Sequence, residues 1–362
     1  MFYKAIFPGK YLQGAGALSQ LGQEAAGLGT RSLVIASATA RHRYLDEILP
    51  SLPDATLVPF GGECCDHEIE RLVTQGREAR CDLVIGMGGG KVIDTAKAVA
   101  HELKARTAIV PTIASTDAPC SAVSVIYTPE GTVQRYLFVA HNPDLVLVDT
   151  AIIAEAPVRF LIAGMGDALS TWLEADSCRR SYAVNQCGGL GTLAAHTLTR
   201  LCYDTLLEYG MAAVLACKDQ VVTPALEHVV EANTLLSGLG FESAGLASAH
   251  AIHNGLTQLS GTHPFYHGEK VTIGVLAGLF LADRPRGLIN EVYSFCESVG
   301  LPTTLAEIGL PAVSDQLLLH IGEVACRDGE TIHHEPAPVS PQAVAACLKA
   351  ADSYGRARKE TR

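Results

Sequence analysis

Two imidazoles and one carboxylate stand out in this chain: Asp167 in AGMGDALSTW, His250 in ASAHAIHNG and His267 in FYHGEK. Each lies in a segment that reads as helix or helix start. Together they form a ligand set that holds a divalent zinc and leaves one coordination position open, as a catalytic site requires and a structural one does not. Structural zinc draws on four ligands close in sequence, often cysteines, and hydrolytic zinc on His-Glu-x-x-His. Neither pattern occurs here. Thirteen histidines are spread along the sequence, so spacing alone leaves His250 and His267 equally readable as core or surface residues.

A second chemical constellation precedes it. DLVIGMGGGKVIDTAK reads as strand, glycine turn and helix. Gly88, Gly89 and Gly90 carry no Cβ to obstruct a diphosphate, and the helix beginning near Lys91 offers unpaired N–H groups and a positive dipole end. Asp94, one turn further on, joins the cofactor set. The segment departs from the dinucleotide fingerprint G-x-G-x-x-G, and from the P-loop because Val92 stands where Ser or Thr should follow the lysine. A tight turn packing helix on sheet is the plain alternative. Next comes PTIASTDAPCSA, where Thr112, Ser115, Thr116 and Ser121 lie at the carboxyl end of a strand, the place where open α/β sheets bind ligands. Asp117 among them is either a turn-forming Asx residue or a carboxylate aimed at a substrate hydroxyl.

The elements that must position these groups divide in two. Up to about residue 157, β-branched runs (SLVIA, TLVPF, DLVIGMG, AIVPT, DLVLVD) alternate with amphipathic segments such as HEIERLVTQGREAR and KVIDTAKAVAHEL. That alternation predicts a parallel sheet covered by helices, an α/β domain over residues 1–157. From 158 to 362 the sequence is helical stretches broken by Gly and Pro, predicting an all-α second domain. The two are expected to share a tight cleft. The net charge of −11 argues against nucleic acid or an anionic membrane as partner. Hydrophobic residues at 48% against 18% charged point to burial between subunits and a homo-oligomer. No apolar run reaches the ~20 residues of a membrane span, and the start lacks a signal-peptide core, so the expected location is the cytoplasm. Eleven cysteines at irregular spacing read as reduced core residues, including the adjacent Cys64 and Cys65, which on a strand would face opposite ways.

GMGGGKVIDTAK, PTIASTDAPCSAVSVIY, NPDLVLVDT, AGMGDALSTWLEA, GFESAGLASAHAIHNGLT and YHGEK together resemble the glycerol dehydrogenases of the iron-dependent (group III) alcohol dehydrogenase family. The resemblance runs from PGKYLQGAG to GETIHHEP, nearly the whole chain. It implies a Rossmann-like domain binding NAD, a helical domain carrying one zinc per subunit, the architecture shared with dehydroquinate synthase, an octameric assembly, and oxidation of a vicinal diol (glycerol, 1,2-propanediol) to a hydroxyketone. By resemblance Asp167, His250 and His267 are the zinc ligands. Gly90, Lys91, Thr112, Ser115, Ser121, Val123 and Tyr127 match positions touching the dinucleotide, and Asp117 one near the glycerol hydroxyls.

Hydride leaves a carbinol carbon only when the hydroxyl proton is largely gone, and zinc supplies that by stabilising the alkoxide. His253 shares a helix face with His250. A second imidazole from that face would close the open position, so His253 is read as a hydrogen-bonding catalytic residue that relays the alcohol proton. His263, His333 and His334 read as surface or cleft-rim residues. One position departs from the family: where an Asp commonly holds the adenosine ribose, SLVIASATARHR has Ser37, followed by Arg41, His42 and Arg43. That opens NADP as a second cofactor. A glycerol-1-phosphate dehydrogenase is a further alternative, but Lys270 is the one evident cation beside the helical-domain ligands.

Overall fold

A computed structural model describes residues 2–129 and 131–360. The chain forms two compact units. One comprises Ile6–Val158 and Leu215–Gly238; the other comprises residues up to Ala5, Arg159–Val214 and residues from Leu239 onward. A boundary thus falls at Val158/Arg159, beside the one read from sequence. Leu215–Gly238, assigned above to the helical domain, instead packs with the sheet.

Eight strands belong to the first unit: β1 (Tyr11–Gly14), β2 (Ser32–Ala36), β3 (Thr56–Pro59), β4 (Leu83–Gly88), β5 (Arg106–Pro111), β6 (Val123–Tyr127), β7 (Val133–Phe138) and β8 (Leu145–Asp149). Six form a parallel sheet in the order β1-β8-β5-β4-β2-β3. All five predicted strands are in it. β2, β4 and β8 are buried along their whole length, which is why they read as unbroken apolar runs and not as alternating ones. One face carries Val34, Ile85, Met87, Ala108, Val110 and Leu147 against Leu21, Ala25, Leu45 and Ile48 from the covering helices.

The chain winds outward from β2 to β3, then returns to the other side of β2 to lay down β4. Strand order therefore reverses between β2 and β4, and the crevice at their carboxyl ends is where a doubly wound sheet takes its ligand. Ser37 and Gly88 close those two strands, and the Ser37 N–H donates to Met87 O at 3.0 Å. The antiparallel hairpin β6–β7, with a bulge at Ile126/Tyr127, was not anticipated. β7 is mostly exposed and shows no burial alternation.

The second unit is built from helices, including Val158–Ser181, Ser248–Thr257, His267–Leu281, Arg286–Val299, Asp315–Ala325 and Pro341–Glu360. Its only strand-like contact among the described residues is the bridge Tyr3–Leu190. No helix among the described residues is long and apolar enough to cross a membrane. All eleven cysteines are free thiols, and burial pushes the Cys64 thiol up to about 12, so it is inert packing material.

Candidate metal centre and dinucleotide cradle

Three helices of the second unit each deliver one of the residues singled out by type. Asp167 sits mid-helix in Val158–Ser181, His250 in Ser248–Thr257, and His267 opens His267–Leu281 behind a capping box between Tyr266 and Glu269. Glycines beside two of them allow the approach. A Cβ on Gly268 would lie 1.8 Å from Ala163 O and 2.8 Å from Asp167 N, and one on Gly166 would lie 2.4 Å from Gly268 O. The two helix backbones touch where only glycine fits. Asp167 and His267 are thereby brought together.

The ligand atoms converge. Asp167 Oδ1 lies 3.2 Å from His267 Nε2 and 3.5 Å from His250 Nε2, and the three donors fall within 4.8 Å of one another. Asp167 is 1% exposed. What faces them inward is set by neighbours. His250 Nδ1 donates to Glu174 Oε2 at 2.7 Å, while Glu174 Oε1 accepts the backbone N–H of His250 and of Ala247. His267 Nδ1 pairs with His253 Nε2 at 3.0 Å, His253 Nδ1 with Asn254 Oδ1 at 3.2 Å, and Asn254 Nδ2 donates to Glu330 Oε2 at 2.9 Å. The bond to Glu330 sets the direction of this hydrogen-bond chain. Glu330 accepts only, so Asn254 presents its oxygen to His253. His253 then holds its proton on Nδ1, and His267 holds its own on Nδ1. Both ligand imidazoles thus turn Nε2 toward Asp167, the nitrogen each would offer a metal while a neighbour holds the other.

Electrostatics favour positive charge at this point. Burial alone would raise the Asp167 carboxyl, yet the imidazoles of His267 and His250 outweigh it and hold that carboxyl well below the usual range. Burial alone would lower His250, but Glu174 and Asp167 raise it well above an ordinary imidazole. Two buried carboxylates therefore face two imidazoles. A divalent cation satisfies that set; two imidazoles, one carboxylate and an outer carboxylate fit zinc or another borderline divalent ion.

His253, expected as a proton relay, has partners at both ring nitrogens, is 7% exposed, and burial together with the charges of His267, Lys270 and His250 pushes its pKa well below normal. Glu174, Asn254 and Glu330 were missed by sequence reasoning. A signal existed for Glu174, which stands seven residues after Asp167 and so on the same helix face; for Glu330, far away in a loop, there was none. His333 is exposed, while His334 is half-buried with Nδ1 2.7 Å from Leu246 O.

In the first unit the glycine turn joins β4 to the helix Gly90–Leu103, whose N-cap, Gly89, supplies no side-chain cap. The three glycines have different reasons. A Cβ on Gly88 would meet Val92 at 2.9 Å and one on Gly89 would meet Ile113 at 2.9 Å, whereas one on Gly90 finds only Thr116 Oγ1 at 3.8 Å. Gly88 and Gly89 serve close packing; Gly90 leaves open space over a bare helix N-terminus. That is a fit for a diphosphate.

The other cofactor candidates divide similarly. Thr112, Ser115, Val123 and Tyr127 are half-buried around the loop. Lys91 pairs with Glu63 and lies 5.4 Å over the Tyr127 ring. Asp94 and Ser121 turn to the interior instead. Asp94 pairs with Lys97 at 3.0 Å and accepts from Val125 N at 3.2 Å, and the Ser121 hydroxyl lies 3.4 Å from Lys97 Nζ and 3.3 Å from Ala118 O. Lys97, 2% exposed, also donates to the carbonyls of Ala118 and Val123. Asp94 and Ser121 thus hold the cradle from behind. Ser37 caps the helix Ala38–Ile48, accepting from Ala40 N at 3.1 Å. Asp117 starts a short 3₁₀ turn, and its Oδ2 accepts from Ser237 Oγ at 2.9 Å.

Comparison with known proteins agrees with this architecture. The family model described as iron-containing alcohol dehydrogenase matches residues 8–150. A glycerol dehydrogenase of Thermotoga maritima is 60% identical over 99% of both chains, and one of Escherichia coli is 50% identical over 96% of both. The crystal structure of a probable glycerol dehydrogenase from Sinorhizobium meliloti superposes with a TM-score of 0.94 at 44% identity, covering 98% of this chain and 100% of that one. With identity of this extent over nearly the whole length of both chains, the chain belongs to the iron-containing alcohol dehydrogenase family.

Proposed function

We propose that this enzyme oxidises a vicinal diol, glycerol to dihydroxyacetone and 1,2-propanediol in the same manner, with NAD as hydride acceptor and one zinc ion per chain. The observation that carries the reading is the convergence of Asp167 Oδ1, His250 Nε2 and His267 Nε2 with both imidazole tautomers held by outer partners. The metal, when bound, supplies a Lewis acid that lowers the pKa of a substrate hydroxyl, and the nicotinamide accepts the hydride. In the net reaction the carbinol carbon loses its hydride to NAD and the hydroxyl its proton to solvent, leaving a ketone.

The protein's own groups do the rest. Glu174 and His253 keep the ligand imidazoles fixed, so no reorganisation is needed when substrate arrives. Asp117 accepts a hydrogen bond from a diol hydroxyl, which orients the molecule and disfavours monoalcohols. Gly90 and the helix N-terminus it opens take the diphosphate, with Thr112, Ser115 and Tyr127 around them. Exposed Phe2, Tyr3, Tyr182 and Leu193 support a homo-oligomer in which these apolar groups are covered.

NADP is a second reading, favoured by one observation. Ser37 puts no carboxylate at the end of β2, its hydroxyl is spent on capping, and Arg41, His42 and Arg43 are exposed on the helix that follows. The glycerol-1-phosphate alternative loses ground, since Lys270 is 9% exposed and burial lowers its pKa. The test is a panel of glycerol, 1,2-propanediol, dihydroxyacetone and a monoalcohol with NAD and NADP on protein of measured metal content. The reading expects diol-dependent reduction of NAD and poor turnover of the monoalcohol. Equal rates with the monoalcohol would refute it.

A further inference from the structure

The loop that carries Asp117 is held from its other side by an irregular stretch of helix. Between the helices Pro224–Glu231 and Ser237–Ala244, residues Ala232–Leu236 form a π-helical turn. Such turns insert one residue into the helical repeat, cost regular hydrogen bonding, and recur at functional sites. The turn and the first residues of the helix after it direct three residues at the loop of Asp117. Asn233, fully buried, donates Nδ2 to Ala114 O at 3.0 Å. Ser237, also fully buried, donates Oγ to Asp117 Oδ2 at 2.9 Å. At Gly238 an added Cβ would lie 3.0 Å from both Asp117 O and Cys120 Cβ. Thr234, next to Asn233, faces elsewhere: it bonds Val230 O at 2.7 Å and meets the Tyr11 hydroxyl at 2.8 Å, which pins the turn to β1.

We propose that the π-helical turn is a positioning element for the reaction, with Ser237 orienting the Asp117 carboxylate toward the diol. The inference rests on the reading of Asp117 given above. A carboxylate on a loop rotates about its last torsion, and a buried hydroxyl donating to one oxygen fixes that rotation through a charge-assisted bond. Asn233 and Gly238 fix the backbone of the loop, so the carboxylate is held in one defined direction. Ser237 and Asn233 touch neither substrate nor cofactor in this account and act through Asp117 and its loop.

The experiment is a double-mutant cycle read as KM for glycerol, with kcat and KM for NAD on the same samples. Ser237→Ala raises KM for glycerol about tenfold, the loss of one hydrogen bond to a charged group, and leaves KM for NAD unchanged. In an Asp117→Ala background, Ser237→Ala adds nothing. Equal effects in both backgrounds, or no effect of Ser237→Ala where Asp117→Ala raises KM, overturn the inference while leaving the role of Asp117 standing. An Asp117→Ala enzyme with unchanged KM for glycerol overturns both. Ser237→Cys, which keeps the volume but donates weakly, gives the same reading if Ser237→Ala fails to fold.

Discussion

Glu174 binds His250 twice, accepting its ring Nδ1–H at 2.7 Å on one oxygen and its backbone N–H at 3.1 Å on the other. The imidazole is thus fixed in tautomer and in position by one buried carboxylate. Replacing Glu174 with Gln removes the charge but keeps the shape. Outer partners of this kind carry about 10–100-fold in metal affinity, so competition with a chelator should show zinc held at least about tenfold more weakly in Glu174→Gln. Unchanged zinc affinity would mean that Glu174 serves only the helix it sits on.

His267 is held by a longer line through His253 and Asn254 to Glu330. Because both nitrogens of His253 are engaged, its loss should appear in metal affinity and not as a missing proton carrier. His253→Gln is expected to weaken zinc and lower kcat in proportion to the metal lost, with activity restored by excess zinc. A rate that stays low at full zinc occupancy would return His253 to the role of proton relay.

The glycines of the cradle separate folding from binding. Gly88→Ala places a Cβ 3.0 Å from Val92 Cβ and 3.2 Å from Ser37 Cβ, whereas Gly90→Ala meets only Thr116 Oγ1 at 3.8 Å. Overpacking costs about 1–3 kcal/mol, so Gly88→Ala should lower Tm while Gly90→Ala keeps Tm and raises KM for NAD. A Gly90→Ala enzyme with normal KM for NAD would remove the diphosphate from that helix N-terminus.

Glu307 gives a pH signature away from the site. Burial would raise its carboxyl, but Lys359 and the N–H groups of Thr303 and Thr304 hold it below an ordinary glutamate. A depressed carboxyl contributes stability above its unfolded pKa of about 4.3 and loses it as pH falls through the folded value. Glu307→Gln should therefore lower Tm by about 1–3 °C at pH 7, with the gap closing below pH ~4. A gap of equal size at both pH values would show that charge plays no part.

Five of the six sheet strands were legible because helices of clear period separate them and β2, β4 and β8 are buried along their whole length; β1, four half-buried residues, was not. The metal ligands were legible as residue types, and resemblance placed them. What lay beyond reading were relations across long separations in sequence. Gly268 is ordinary in YHGEK until Ala163 O is known to lie 1.8 Å from its missing Cβ, and nothing in EANTLLSG announces a π-helical turn. Asp94 and Ser121 were expected beside the cofactor, and the contacts both make with the buried Lys97 join residues up to 27 apart in sequence that no motif links. The exposed strand β7 lacks the alternation by which a one-sided strand is recognised. Leu215–Gly238 reads as helix correctly, yet helical character does not reveal which unit a helix packs against.

The central claim is that Asp167, His250 and His267 hold one metal ion on which diol oxidation depends. Zinc titrated into chelator-treated protein with glycerol and NAD, following absorbance of the reduced cofactor, tests it most directly. Activity should rise in proportion to added zinc and break at one equivalent per chain, and Asp167→Asn should show neither rise nor break. Full activity before zinc is added, or an unchanged titration in Asp167→Asn, would contradict the account.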